Sequence, residues 1–69
     1  MSVTGTITEL HSGRGVGSII GHDGKIYLFH RGALQDAWFH DLRMGDAVTF
    51  EPADGLRAKL VRLVREGRD

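Results

Sequence analysis

The chain has 69 residues, enough for one small domain with a thin core. It contains no cysteine, which excludes a disulfide framework and a thiolate zinc site. Nine Lys and Arg residues balance nine Asp and Glu residues, so the chain lacks the strong basic charge that is typical of nucleic-acid binders.

The apolar stretches of the chain are a few residues long and too short to cross a membrane. Met1 is followed directly by a polar, alternating segment, and no signal peptide is visible. We therefore expect a cytoplasmic protein that has no membrane partner.

Ten glycines interrupt the chain and argue against long helices. The β-prone runs between them predict strands at about 3–10, 15–20, 25–30, 46–51 and 56–64. Asp23-Gly24 and Asp54-Gly55 predict hairpin turns before the third and fifth strands. The long connection at 31–45 is expected to hold a short helical turn at 33–39. We expect one domain over 1–66 and a frayed tail at 67–69.

Five short strands cannot bury both faces of a flat sheet, whereas closure into a barrel removes the edges and encloses one core. The sequence therefore predicts an all-β fold, a five-stranded antiparallel barrel. Ile7 and Leu10 are both apolar but differ in parity, and a bulge near Glu9 would let both face inward. The residues expected to point inward are Val3, Ile7, Ile19, Tyr27, Phe29, Val48, Phe50, Ala58 and Val61.

Five segments follow one another in the order and spacing of a known motif set. Residues 5–10 and 14–19 match G-x-V-K-W-F and K-G-F-G-F-I, and 27–34 match V-F-V-H-x-S-A-I. Residues 38–50 match G-F-x-x-L-x-x-G-x-x-V-x-F, and 58–61 match A-x-N-V. In these motifs the chain resembles bacterial cold-shock proteins and the cold-shock domains of Y-box proteins. The resemblance covers nearly the whole chain and implies an OB-fold barrel of the cold-shock type.

The resemblance also implies binding of single-stranded RNA or DNA. Family members stack bases on outward aromatic side chains of the second and third strands and on a Trp that ends the first strand. Here Glu9 replaces that Trp, and Thr8 replaces the Lys of the first strand. Val16, Ser18 and Leu28 replace three Phe residues. A base stacked on an aromatic ring is worth about 1–3 kcal/mol, so we expect weak binding.

His30 keeps its motif context and should point outward, toward nucleic acid in the family; the alternative is an ordinary surface histidine. Arg14 and Arg31 flank the same face, and Arg31 stands where the family has an aromatic; both could equally be solvated surface arginines. Arg57 and Lys59 would extend a basic track along the last strand.

Trp38 and Phe39 lie in the long connection, where exposed aromatics could stack bases beside His30. Alternatively, Trp38 folds back and caps one end of the barrel. The predicted nucleic-acid-binding residues are therefore Arg14, Val16, Leu28, His30, Arg31, Trp38, Phe39, Arg57 and Lys59.

The register of the strand at 25–30 has one alternative. In the register that follows the family motif, Tyr27 and Phe29 point into the core. A slip by one residue would turn both rings outward and create a different aromatic surface. The match at 30–34 favours the first register.

Other chemistries have little support in the sequence. The histidines at 11, 22, 30 and 40 have no ligand-like spacing, so we expect no metal site. The glycines at 13–17 lack the features of a phosphate loop, and strand turns explain them better. No nucleophile has a plausible base, and a chain of this size has little room for a pocket that excludes water. We therefore expect no enzyme activity and no cofactor.

The second function left open is protein contact. The loss of aromatics at Glu9, Val16, Ser18 and Leu28 creates a mixed surface, and Glu9 would repel phosphate. Such a surface would suit a protein partner or a homodimer. Salt distinguishes the two functions, since binding to nucleic acid weakens steeply with salt and an apolar contact does not.

Overall fold

Alternating apolar and polar residues between glycine-containing turns form five strands in the computed structural model, which describes residues 2–35 and 38–64. The strands are β1 (Val3–His11), β2 (Val16–Gly21), β3 (Ile26–His30), β4 (Ala47–Ala53) and β5 (Arg57–Leu63). Single 3-10 turns span Arg31–Ala33 and Phe39–Asp41 and overlap the two ends of the helical turn predicted at 33–39. Part of that turn, and the predicted tail at 67–69, lie outside the described residues.

The five strands close into a barrel in the order β1-β2-β3-β5-β4, and β4 pairs with β1. Four neighbouring pairs are antiparallel, whereas β3 and β5 run parallel. The predicted all-β, five-stranded barrel is confirmed, and its pairing is antiparallel except between β3 and β5. The reason is topological: strand direction cannot alternate all the way around a closed ring with an odd number of strands.

The barrel encloses the predicted core. Eight of the nine residues expected inside are buried, and Val3 is half-buried against them. The long connection adds Ala33 and Leu42 to this core. Both lie in or next to the 3-10 turns. A single turn is too short for its apolar residues to show a period in the sequence. The connection is thus packed against the barrel at two points.

A register shift between Ile7 and Glu9 confirms the predicted bulge in β1. Because of it, Ile7 is 1% exposed and Leu10 also packs against the core. The inner surface further requires glycine where strands approach closely. A Cβ atom on Gly17 would lie 2.8 Å from both the Phe29 ring and the carbonyl oxygen of Glu9.

The register of β3 is the one that follows the motif. Tyr27 and Phe29 are buried, whereas Leu28 and His30 are exposed, so the slipped register does not occur. Asp23 strengthens this arrangement from the preceding turn. Its carboxylate accepts hydrogen bonds from the Lys25 amide at 3.0 Å and the Tyr27 hydroxyl at 2.7 Å.

These two hydrogen bonds shift both ionisation equilibria. The Lys25 amide, followed by the Tyr27 hydroxyl, lowers the pKa of Asp23 below its ordinary value of 3.8. The hydrogen bond to Asp23 is also the main reason why the pKa of Tyr27 rises above 10.0. The charged carboxylate and the neutral phenol are therefore the favoured pair.

Within residues 2–35 and 38–64, no helix has the length and apolar character needed to cross a membrane.

Candidate nucleic-acid interface

The outward side chains of β1, β2 and β3 form one continuous surface, called the outer face below. Strand register arranges it in three rows. The first row is His11, Val16 and His30; the second is Glu9, Ser18 and Leu28; the third is Thr6, Ile20 and Ile26. The bulge in β1 places Glu9 and His11 on this face.

An open groove of about 690 Å³ lies on the first two rows and is called the first groove. Its floor includes Gly17 and Ser18, and Arg57 of β5 borders it beside Leu28. Its remaining walls are mainly apolar, and they place three predicted binding residues of β2 and β3 side by side: Val16, Leu28 and His30.

The imidazole of His30 has a defined orientation. Its Nδ1 atom accepts a 3.1 Å hydrogen bond from the backbone N–H of Gly32, at the start of the first 3-10 turn. An accepting Nδ1 atom leaves the proton of the neutral ring on Nε2. His30 can therefore donate a hydrogen bond from Nε2 to a ligand. Gly32 leaves room for the ring, since a Cβ atom there would lie 2.9 Å from it.

Ser18 is sunk into the floor of the groove and is 8% exposed. Its hydroxyl lies 2.8 Å from that of Thr8, which also donates to the carbonyl oxygen of Ser18 at 3.3 Å. This pair satisfies the polar atoms of the floor. The position thus offers a ligand no side chain that rises above the sheet.

The charge on the first groove is mixed. Glu9 lies 3.2 Å from Nε2 of His11, and both side chains are exposed. Arg57 is the arginine that borders this groove. Within the described part of the chain, it makes no ion pair that would neutralise it. A polyanion would therefore meet one cation, one carboxylate and two imidazoles.

Arg14 and Arg31 lie at one end of the outer face, outside the lining of the first groove. The Arg31 amide donates to the carbonyl oxygen of Gly15 at 2.8 Å. The Arg31 side chain also packs on Gly15, whose φ is +68° and whose missing Cβ atom would lie 3.1 Å from Arg31 Cδ. This glycine therefore makes the approach of Arg31 to the β1–β2 turn possible.

Of the two aromatic residues in the long connection, Trp38 is exposed and Phe39 packs inward. Trp38 does not fold back to cap the barrel, because it is 72% exposed. Its ring stacks on that of His40, with 6.3 Å between the ring centroids. Phe39 is half-buried and packs against Phe29 at 6.0 Å. Neither ring lines the first groove. Phe39 packs inward because its position in the second 3-10 turn brings it to the core.

Sequence reasoning missed His11 and Ile26 as members of this surface. His11 reaches it because the bulge reverses the parity of β1 after Ile7. Ile26 is 44% exposed in the third row. Its parity with Leu28 and His30 could have identified it, since alternate residues of a strand share a face.

Among residues 2–35 and 38–64, no group of three or more His, Cys, Asp or Glu side chains could hold a metal ion. The chain matches no protein-family model, and no curated protein matches it significantly.

Proposed function

We propose that the outer face binds single-stranded RNA or DNA weakly, and that the protein is a cytoplasmic, non-catalytic binding domain of the cold-shock type. The observation that carries this proposal is one juxtaposition on the barrel. Val16 and His30 are cross-strand partners, Leu28 lies in the next row, and Arg57 is paired with Leu28. An apolar surface, a directed hydrogen-bond donor and a cation thus lie within one groove.

Each of these groups has a role in the proposal. The Leu28 side chain, which is 60% exposed, and Val16 provide apolar contact for the flat faces of bases. His30 donates from Nε2 to a base or phosphate oxygen. Arg57 contacts a phosphate, and its guanidinium plane can also stack on a base.

Affinity is expected to be low for two reasons. The outer face has aliphatic and hydroxyl side chains where aromatic stacking would add about 1–3 kcal/mol for each base. The Glu9 carboxylate repels phosphate from within the first groove. We therefore expect a dissociation constant of about 10⁻⁴–10⁻⁶ M at physiological salt, in the range of non-specific binding.

Fluorescence anisotropy with labelled oligo-dT and oligo-U, at low and at moderate salt, tests the proposal. Binding should weaken with salt and should fall further in His30→Ala. His22→Ala is the matched control, because His22 is an exposed histidine of the β2–β3 turn outside the groove. An absence of binding to both oligonucleotides at low salt would refute nucleic-acid binding.

A second candidate is contact with a protein partner or a second copy of the chain through the same face. The exposed aliphatic side chains favour it: Ile20, Ile26 and Leu28 are 38%, 44% and 60% exposed. Sedimentation velocity over a range of concentrations tests self-association. A dimer that persists in high salt and is lost in Leu28→Glu would support this candidate; a monomer throughout would contradict the homodimer.

A further inference from the structure

Glu9 is the one acidic side chain among the described residues that line the first groove. The register shift between Ile7 and Glu9 places its side chain on the outer face. A carboxylate only accepts hydrogen bonds, and phosphate oxygens at neutral pH have no proton to donate. The N–H groups of the bases are the donors that a nucleic acid can offer to it. The Glu9 carboxylate is therefore suited to contact with a base and not with the backbone.

The Glu9 carboxylate is oriented on one side and open on the other. Its Oε1 atom lies 3.2 Å from Nε2 of His11. Because the carboxylate can only accept, the proton of this hydrogen bond lies on Nε2 of His11. Oε2 accepts no hydrogen bond within the described part of the chain, and Oε1 keeps a second lone pair. Two adjacent acceptor atoms therefore remain available to a ligand.

The second row of the outer face has a depression at its centre. Ser18 pairs with Glu9 on one side and with Leu28 on the other, and it is only 8% exposed. Its hydroxyl is already paired with that of Thr8. Glu9 and Leu28 lie two strand spacings apart, roughly 10 Å between their Cα atoms. A base that lies flat over Ser18 can therefore direct one edge toward Glu9 while Leu28 contacts its opposite side.

The bases differ in the hydrogen-bonding groups of their Watson–Crick edges, which a single strand leaves free. Guanine has two adjacent donors, N1–H and the N2 amino group, and these match the two oxygens of a carboxylate. Adenine and cytosine have one amino donor beside a ring nitrogen that accepts, so the second oxygen would face a lone pair. Thymine and uracil have one N–H donor between two carbonyl oxygens. A free carboxylate therefore favours guanine over the other bases.

We propose that Glu9 is a specificity-determining residue that makes the outer face select guanine within a single strand. The guanine base lies over Ser18, and its N1–H and N2 amino groups donate to the two carboxylate oxygens of Glu9. This inference rests on the proposed function and adds a base preference to it. Glu9 weakens the binding of every strand by repelling phosphate and recovers part of that loss only when the base beside it is guanine.

The test uses four labelled thymidine heptamers whose central base is thymine, guanine, adenine or cytosine, titrated by anisotropy at low salt. The heptamer with guanine should bind at least about fivefold more tightly than the all-thymine heptamer, the lower end of what a bidentate base contact contributes. The heptamers with adenine and cytosine should bind within about twofold of the all-thymine heptamer, since they lack the two adjacent donors. The adenine heptamer also controls for the larger stacking area of a purine.

Glu9→Gln separates base recognition from charge. Its amide has one acceptor oxygen and one donor nitrogen, so it cannot accept both guanine donors. The variant should bind the all-thymine heptamer more tightly, because the repulsion of phosphate is lost, while the guanine preference falls to about twofold or less. Glu51→Gln is the matched control, because it removes the same charge from β4, outside the first groove. It should retain the full guanine preference.

Three results would overturn the base preference while leaving the proposed function intact. The guanine and adenine heptamers might bind equally to the wild type, the guanine preference might persist in Glu9→Gln, or this variant might strengthen all four heptamers by the same factor. The last result would show that Glu9 only repels phosphate. Failure of all four heptamers to bind would instead overturn the proposed function, and the inference with it.

Discussion

Leu28 and Arg57 are register partners where β3 and β5 run parallel, and the Leu28 amide donates a 2.9 Å hydrogen bond to the carbonyl oxygen of Leu56. This contact holds an exposed aliphatic side chain beside an exposed cation at the edge of the first groove. A substitution at position 28 is therefore the most direct test of ligand binding by the outer face.

Leu28→Phe should increase affinity for oligo-dT. An outward ring at this position can stack a base for about 1–3 kcal/mol, which corresponds to about a 5- to 150-fold tighter complex. Anisotropy titration of the variant measures this. Met44→Phe is the control, because Met44 is 69% exposed and lies outside the first groove. Equal affinity in the wild type and Leu28→Phe would contradict stacking at this position.

Gly5→Ala should destabilise the barrel by about 1–3 kcal/mol, because the interior has no space for a methyl group. The added Cβ atom would lie 2.6 Å from Ile19 Cγ2 and 2.7 Å from the carbonyl oxygen of Ile20. Thermal unfolding should show a fall in Tm of roughly 4–8 °C per kcal/mol. Gly13→Ala, with nothing within 4 Å of the new atom, should keep or slightly raise Tm. Equal Tm values for the two variants would argue against close packing around Gly5.

The hydroxyl pair on the floor of the first groove should show energetic coupling. Thr8→Val leaves the buried Ser18 hydroxyl without this partner and should lower the free energy of unfolding by about 1–3 kcal/mol. Adding Ser18→Ala should then have little further effect, because both polar groups are gone. Urea unfolding of the two single variants and the double variant measures the coupling. Strict additivity would show that the hydroxyls do not interact.

Acid should weaken the β2–β3 turn. The pKa of Asp23 is lower in the folded protein, so its contribution to stability is present above pH 3.8 and is lost as the pH falls through the folded value. Tyr27→Phe removes one of the two hydrogen bonds that lower this pKa, so the pKa should move up toward 3.8. A titration of the Asp23 carboxyl carbon by NMR measures the change. An unchanged midpoint would show that the hydroxyl does not stabilise the carboxylate.

At alkaline pH the dependence of stability on pH has the opposite sign, because stability is lost as the pH rises. The pKa of Tyr27 is raised, so its contribution to stability is complete below pH 10.0 and is lost as the pH rises through the folded value. Asp23→Asn removes the carboxylate and should lower the pKa of Tyr27. Ultraviolet absorbance of tyrosinate reports this change without ambiguity, because Tyr27 is the sole tyrosine of the chain. A pKa that stays raised in the variant would assign the shift to burial.

The positions of the strands, the core and the bulge could be predicted from the sequence because they depend on local patterns. The alternation of Tyr27, Leu28, Phe29 and His30 places two rings inside and two residues outside. The parity change between Ile7 and Leu10 requires one extra residue in β1. Both features follow from the period of a strand and the preference of apolar side chains for the interior.

The long connection was harder to predict, because aromatic residues in irregular backbone have no period that assigns a face. Trp38 and Phe39 are adjacent in the chain, and the sequence alone does not assign either ring to the core or to the surface. The second 3-10 turn packs Phe39 on Phe29 and leaves Trp38 72% exposed. Which ring faces the core depends on the path of the connection over the barrel.

The sequence by itself therefore determined the β class of this protein, its inward residues and the outward set that includes Val16, Leu28 and His30, because these follow from short-range periodicity. The tertiary structure alone decided that β3 and β5 are parallel neighbours and that their pairing places Arg57 beside Leu28 at the first groove. Residues that are distant in sequence meet only when the barrel closes, and no local pattern encodes their distance.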